Sequence, residues 1–376
     1  MDRELLYRHY WYRSGVNESM REALADIAHS AQVAAQLRPG DIVLDIGAND
    51  GTLLREYIGD EISLVGFEPA KNLLNEACRG TDLIIPNFFS ASSFKRNLGP
   101  SAKARIITSI AMFYDLDHPH DFVRDIAGIL ARDGLWIVQM TYLPTMLSSN
   151  IFDTICHEHV GYYSFEAIKL LITAHGLEIR DVELNAVNGG SVRLYIQHQS
   201  HSDPRWQLIG APERIKRIVH DERVIGLTNT ATYQQFAERI SSIKETIRRF
   251  VMDELANGKT FHVYGASTKG NTILQYFGLD RRHFEAAADR NKDKWGMHTI
   301  ATNIPIVSEE ESRAARPDYF FVLPWHFRDA FVAREQEFLA AGGSMVLPLP
   351  IPSLVCMRDK VLQEIPLGEA SRRRSE

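Results

Sequence analysis

Cysteine is nearly missing from this chain: three residues in 376, Cys78, Cys156 and Cys356, with no CxxC pair among them. A disulfide framework and a structural zinc site both need paired cysteines at short spacing, so neither is expected, and no metal is assigned. Long apolar runs are missing too. None approaches the roughly 18 to 20 residues that cross a bilayer, and the opening "MDRELLYRHYWYRSG" lacks the charged-then-apolar order of a secretory signal. No membrane partner is expected, and the expected location is cytoplasmic. Basic blocks are confined to "RRR" at 372–374, and 42 basic against 48 acidic residues give a net charge of −6. Nucleic acid is therefore not an expected partner, and any phosphate bound should belong to a small molecule.

What is present is an ordinary globular composition, 45% apolar and 24% charged, long enough for two or three domains. Residues 18–36 carry apolar positions at helical spacing. From "DIVLDIG" onward strand and helix patterns alternate through "TLLREYIG", "EISLVGFEP", "KNLLNEACRG", "ARIITSIAMF", "PHDFVRDIAGILARDG" and "LWIVQMTYL". Such alternation predicts a parallel sheet flanked by helices, α/β and doubly wound. "LEIRDVELNAVNGGSVRLYIQH" predicts two further strands joined through "NGG". A second alternating block starts at "TFHVYGAST" and runs to "SMVLPLP". The expected organisation is a first domain over 1–200, a helical connector over 201–258, a Rossmann-like domain over 259–366 and a disordered tail over 367–376.

In "VLDIGANDGTLL", Asp45, Gly47, Asn49 and Gly51 stand where the first strand passes into a helix. Glycines there let the backbone approach a ligand, beside a helix N-terminus of positive potential. A dinucleotide diphosphate wants GxGxxG, and Asn49 occupies the place of the middle glycine. A carboxylate in this turn suits an ammonium group instead. Glu68, in "LVGFEPA", stands at the next strand's tip, about twenty residues on, where an acid receives both hydroxyls of a ribose. Together these residues resemble the cofactor site of the class I S-adenosylmethionine-dependent methyltransferases. The resemblance implies S-adenosyl-L-methionine as cofactor and extends its site to Pro69, to Asn87 and Phe88 after the third strand, and to Ser109 in the fourth.

The densest polar stretch is "FDTICHEHVGYYS", residues 152–164. His157 and His159 at i and i+2 would share one face of a strand, able to bind metal or to move protons, or the stretch is only a polar turn. No further His or Cys pattern at ligand spacing supports metal. Its place beyond the fifth strand's tip puts it on the side where such sheets bind ligands.

Four motifs, "YWYRSGVNESM", "FDTICHEHVGYYS", "NGGSVRLY" and "VYGASTKGN", occur in an order that resembles the sugar C-methyltransferases acting on nucleotide-linked 4-keto-6-deoxyhexoses. That resemblance covers nearly the whole chain. It implies removal of a proton beside the ketone and attack of the enolate on the cofactor's methyl, with His159 as base, aided by Glu158 and His157. It also implies enolate donors among Tyr162, Tyr163 and Tyr114, acceptor contacts from Tyr10, Tyr12, Arg13 and Asn188, and a nucleotide diphosphate held by Ser267 and Lys269. Members typically begin with a cysteine-rich zinc module that has no counterpart here. Cys156 replaces a frequent tyrosine, and Tyr114 a frequent histidine. The rival readings are an O- or N-methyltransferase and, for the second block, a redox dinucleotide binder, which the incomplete glycine motif at "YGASTKG" disfavours.

Overall fold

The computed structural model describes residues 3–201 and 210–370. Two compact units form, one from residues 1–143 and 157–226, the other from 144–156 and 227–376. The chain therefore passes between them three times, and residues 144–156 group with the second unit although they follow the first unit's fifth strand.

The first unit is built on β1 (Ile42–Ile46), β2 (Ser63–Phe67), β3 (Leu83–Ile85), β4 (Ala104–Ile110), β5 (Leu130–Thr141), β6 (Leu177–Asn185) and β7 (Ser191–His198), in the order β3-β2-β1-β4-β5-β7-β6. The first five pair in parallel, while β7 runs antiparallel to both β5 and β6. Strand β4 is buried over nearly its whole length, which is why it reads as an apolar run without alternation. Trp136, Phe113, Ile126 and Phe165 join the core on the sheet's faces. The order reverses between β1 and β4, and at such a switch point the strand tips diverge and leave a crevice.

Several expected elements differ in extent. The helices expected over 52–59 and 71–80 shrink to Thr52–Arg55 and Leu74–Ala77. Strand β5 starts at Leu130, inside the stretch expected to be helical, because a register shift lets Leu130 pair with Ala104 before Leu135 pairs with Ile106. Between β6 and β7, Asn188, Gly189 and Gly190 all take positive φ, 55°, 91° and 145°, which explains the glycine pair.

The second unit repeats the first five positions of that order: β8 (Phe261–Tyr264), β9 (Ala286–Ala288), β10 (Ile306–Val307), β11 (Tyr319–Val322) and β12 (Ser344–Leu347) form β10-β9-β8-β11-β12. An antiparallel pair, β13 (Ser353–Arg358) and β14 (Val361–Pro366), completes this sheet. That pair was not expected from sequence, nor was the helix Glu309–Ala315. The stretch "FRDAFVAREQEFLAAGG", 327–343, reads in sequence as one helix of the second alternating block, but it is divided at Glu335, a buried residue whose carboxylate receives Arg313 and the Tyr264 hydroxyl. The expected connector over 201–258 is not a separate body. Helix Ala211–Ile225 packs on β6 in the first unit, and helix Thr230–Ala256 belongs to the second. Within the expected tail, Leu367–Ala370 is helical with Leu367 buried, and 371–376 lie outside the described residues. No described helix is long and apolar enough to cross a membrane.

Candidate active site

At the first switch point the backbone turns sharply after β1. Gly47 and Gly51 take φ of 79° and 77°, and a Cβ on Gly51 would meet the Ala77 carbonyl oxygen at 2.8 Å. Two carboxyls are buried here. Asp45 accepts the Thr108 hydroxyl at 2.6 Å, while Glu68 accepts the Asn49 amide N–H at 2.7 Å on one oxygen and the Ala70 N–H at 2.6 Å on the other. Their partners are neutral, so burial dominates and pushes both carboxyls up to about 7. A ligand bringing a positive charge and hydroxyl donors would relieve that cost. The donor set fits a cofactor with an amino acid end and a ribose.

The other expected cofactor contacts are divided. Pro69 follows Glu68 at the crevice. Asn87 and Phe88 lie after β3 but are engaged by the N-terminal segment: Asn87 Oδ1 accepts from Arg8 at 3.3 Å, and the Arg3 and Arg8 guanidinium carbons stand 4.6 and 4.9 Å from the Phe88 ring centroid. Ser109 faces the core, fully buried, and its Oγ accepts the Trp136 indole N–H at 3.1 Å. That correction follows from the strand's alternation, which turns this hydroxyl away from the crevice to satisfy the indole. Asn49, also expected among the cofactor contacts, takes φ of 53° and directs its side-chain amide to the N-terminal segment, donating to the Tyr12 carbonyl at 3.1 Å and accepting the Ser14 N–H at 3.0 Å. Asp50, which no motif singled out, accepts the Gly15 N–H at 2.8 Å and the Thr52 hydroxyl at 2.6 Å.

The "CHEH" stretch is a loop and not a strand, so the expectation of one shared face for His157 and His159 does not hold. A short helical turn over Phe152–Thr154 precedes it. The Val160 and Gly161 N–H groups both donate to the Tyr114 carbonyl, at 3.0 and 2.9 Å. This docks the loop beside the tip of β4, where the His159 and Tyr114 ring centroids are 4.2 Å apart. The Tyr10 hydroxyl donates to Glu158 at 3.4 Å. Burial, then the Glu158 charge, raises the Tyr10 phenol well above its ordinary value, keeping it a proton donor. His157 is on the outside, 3.9 Å from the other Glu158 oxygen. Tyr162 donates a long 3.5 Å contact to the His159 carbonyl. Tyr163 packs against Phe113 at the edge of the core, its phenol raised by burial. Imidazole, carboxylate and two phenols, Tyr10 and Tyr114, thus come together. Arg13 pairs with Glu76 and Tyr12 is 40% exposed, while Asn188 stays in the β6–β7 turn. Among the described residues no three His, Cys, Asp or Glu side chains are arranged to hold a metal.

In the second unit, Ser267 and Lys269 lie just past β8. Ser267 caps the helix Thr268–Phe277 by accepting the Gly270 N–H at 3.1 Å. Its hydroxyl oxygen thus caps the helix end. Lys269 acts electrostatically on Asp153, which is buried and receives the Trp325 indole N–H at 3.1 Å, and on His326. Burial, then Lys269, holds the His326 imidazole down at about 3. The carboxylate after β9, Asp289, accepts the Ala266 N–H at 3.0 Å as Glu68 accepts that of Asn49, yet it is already paired with Lys294 at 3.0 Å. Lys294 thus shares the Asp289 oxygen that accepts the Ala266 N–H.

Residues 12–182 match the family model for a methyltransferase domain, and residues 186–350 match that for a C-methyltransferase C-terminal domain. Over 353 residues the chain is 30% identical to the C-methyltransferase NovU of Streptomyces niveus, covering 94% of this chain and 82% of that protein. Among solved structures, it is similar to magnesium protoporphyrin IX methyltransferase from Synechocystis PCC 6803 with bound SAH, at 13% identity, 48% of this chain, 87% of that one and a TM-score of 0.37. A second is the N-methyltransferase NodS of Bradyrhizobium japonicum WM9, at 12% identity, 49% and 98% coverage and a TM-score of 0.36. The chain belongs to the class I S-adenosylmethionine-dependent C-methyltransferases.

Proposed function

We propose that the protein methylates the carbon beside the keto group of a nucleotide-linked deoxysugar, by base-assisted enolate formation. The observation that carries this reading is the meeting of His159, Glu158, Tyr10 and Tyr114 at the tip of β4, in a chain 30% identical to a C-methyltransferase. Carbon needs such an apparatus. A hydrogen alpha to a ketone leaves only if a base takes the proton while a donor stabilises the charge growing on oxygen. Imidazole, with an ordinary pKa of about 6.5, is substantially neutral near pH 7 and can take it. His159 is the proposed base, held against Tyr114 and on a loop fastened to that residue's carbonyl. Tyr114 is the proposed donor to the enolate oxygen, and Tyr10, whose hydroxyl donates to Glu158, is the proposed acceptor contact that holds that carboxylate in place. Of the other tyrosines, Tyr163 contributes packing.

Asp45 and Glu68 are the residues that would hold the cofactor's ammonium and ribose, with Gly47 and Gly51 allowing close approach. Bound S-adenosylmethionine supplies an electrophilic methyl on a positive sulfur. The C–H electron pair becomes the enolate and the proton goes to His159; the enolate carbon would form the new C–C bond as the methyl–sulfur bond breaks, its electron pair staying on sulfur in the neutral demethylated product, and solvent then removes the proton from His159. Lys269 is the proposed contact for the acceptor's diphosphate.

Deuterium wash-in tests this. With the demethylated cofactor product in place of the cofactor, wild type should exchange the hydrogen beside the ketone with heavy water. His159→Asn should lose both exchange and methyl transfer, by roughly 10²- to 10⁴-fold, while binding the cofactor normally. Full activity in that variant would remove His159 from the mechanism. Transfer without any exchange-competent carbon would favour an O- or N-methyltransferase.

A further inference from the structure

Tyr10 is held by its backbone. Its N–H donates to Asn72 Oδ1 at 3.0 Å, and Asn72 Nδ2 donates back to the Tyr10 carbonyl at 2.9 Å, so one side-chain amide pairs both backbone groups of a single residue as a neighbouring strand would. The Lys71 N–H adds a bond to the Arg8 carbonyl at 3.1 Å. Asn49 repeats the device on Tyr12 and Ser14, and Asp50 takes Gly15. These anchors occupy the two turns that carry the buried carboxyls. Asn49 and Asp50 stand between Gly47 and Gly51, and Asn72 lies four residues beyond Glu68. Glu68 itself fastens both turns, through the N–H groups of Asn49 and Ala70.

Arg8 adds contacts to Asn87 and Phe88, Arg13 pairs with Glu76, and Arg21 donates to the Gly15 carbonyl. Trp11, Tyr12 and Val16 are 41%, 40% and 42% exposed, so polar contacts, the two asparagine clasps among them, carry much of the segment's order. At its middle, the Tyr10 hydroxyl meets Glu158.

We propose that Asn72 and Asn49 are positioning residues that clasp residues 8–15 as a strap over the two cofactor turns, so that an ordered cofactor crevice is what presents the Tyr10 phenol to Glu158. This rests on reading the "CHEH" loop as the acid/base element. A ligand that orders the two turns orders the strap with them, which delivers the phenol only once the methyl donor's site is formed.

The test has two arms on the full chain. Amide hydrogen exchange needs no acceptor: S-adenosylhomocysteine should slow exchange across residues 8–15 in wild type. In Asn72→Ala the Tyr10 amide should exchange about tenfold faster, while the ligand still protects residues 41–55. An unchanged Tyr10 amide in Asn72→Ala, or a strap indifferent to the ligand, would overturn the proposal. The second arm is a double-mutant cycle on methyl transfer with Asn72→Ala and Tyr10→Phe. Each should lower kcat and leave the cofactor KM within about threefold, and the pair should fall no further than Tyr10→Phe alone, because the clasp acts only through that phenol. Losses that multiply would show that Asn72 acts elsewhere. If wild type transfers no methyl to a nucleotide ketosugar, the functional reading fails while the exchange arm still decides the strap.

Discussion

Asp45 and Glu68 are carboxyls that burial holds up to about 7. Their unfolded values lie near 4, so the folded chain keeps protons that the unfolded chain has lost. The stability this contributes to the cofactor-free protein is present below about pH 4 and is lost as pH rises to about 7. Binding has the opposite sign. A positive cofactor and its hydroxyls favour the ionised carboxyls, so binding should expel protons, and affinity should rise from about pH 5 to about pH 8 and then level. Calorimetry in two buffers of different ionisation heat measures that release directly. Glu68→Ala should weaken S-adenosylmethionine by roughly 1 to 3 kcal/mol, about 5- to 150-fold, for the lost hydrogen bonds to a charged group. An unchanged affinity would place the cofactor elsewhere.

The loop that carries His159 is short and irregular, so the elements around it must set its position. Just after His159 it docks on the carbonyl of Tyr114 through the Val160 and Gly161 N–H groups, and then it enters the helix Phe165–Thr173. Glu222, buried on the helix Ala211–Ile225, receives the Tyr142 hydroxyl at 2.6 Å and the Phe165 and Glu166 N–H groups, fastening that helix start. Glu222→Ala should therefore speed amide exchange at Phe165 and Glu166 by roughly 5- to 150-fold, the loss of about 1 to 3 kcal/mol, with the β1–β2 region unaffected. No local pattern announces Glu222, because its partners lie 56 to 80 positions away in sequence. The same reason hides Asn72 and Asp50. What periodicity does reveal is burial: β1, β2 and β4 stand out as apolar runs because parallel strands are covered on both faces. The glycine turn and Glu68 are legible because their backbone geometry demands particular residues at a fixed spacing. Ser109 misleads, since its hydroxyl serves Trp136 and strand sequence alone does not show which polar side chain a buried indole will take. The stretch 327–343 reads as one helix, yet it divides at Glu335, whose carboxylate partners Arg313 and Tyr264 lie 22 and 71 positions away in sequence.

Two units share the strand order 3-2-1-4-5 without a shared motif, and both place a carboxylate of the second strand's tip on the amide of the first turn. In the first unit that carboxylate has only amide partners, and in the second it is neutralised by Lys294. The difference favours one S-adenosylmethionine site per chain and a second unit with another task, for which Lys269 is the charged group at hand. Lys269→Ala should raise the KM of a nucleotide-sugar acceptor several-fold, as expected for one charge-assisted contact to phosphate, with cofactor affinity unchanged; if neither moves, the turn only builds the fold. The decisive observation is where the methyl goes. The protein is to be incubated with S-adenosylmethionine carrying a ¹³C methyl and a nucleotide-linked 4-keto-6-deoxyhexose, and the product examined by ¹³C NMR. The expected result is a labelled methyl bonded to the ring carbon beside the ketone, with the hydrogen at that carbon gone. A label found on oxygen or nitrogen, or no transfer to the ketosugar at all, would contradict C-methylation through an enolate.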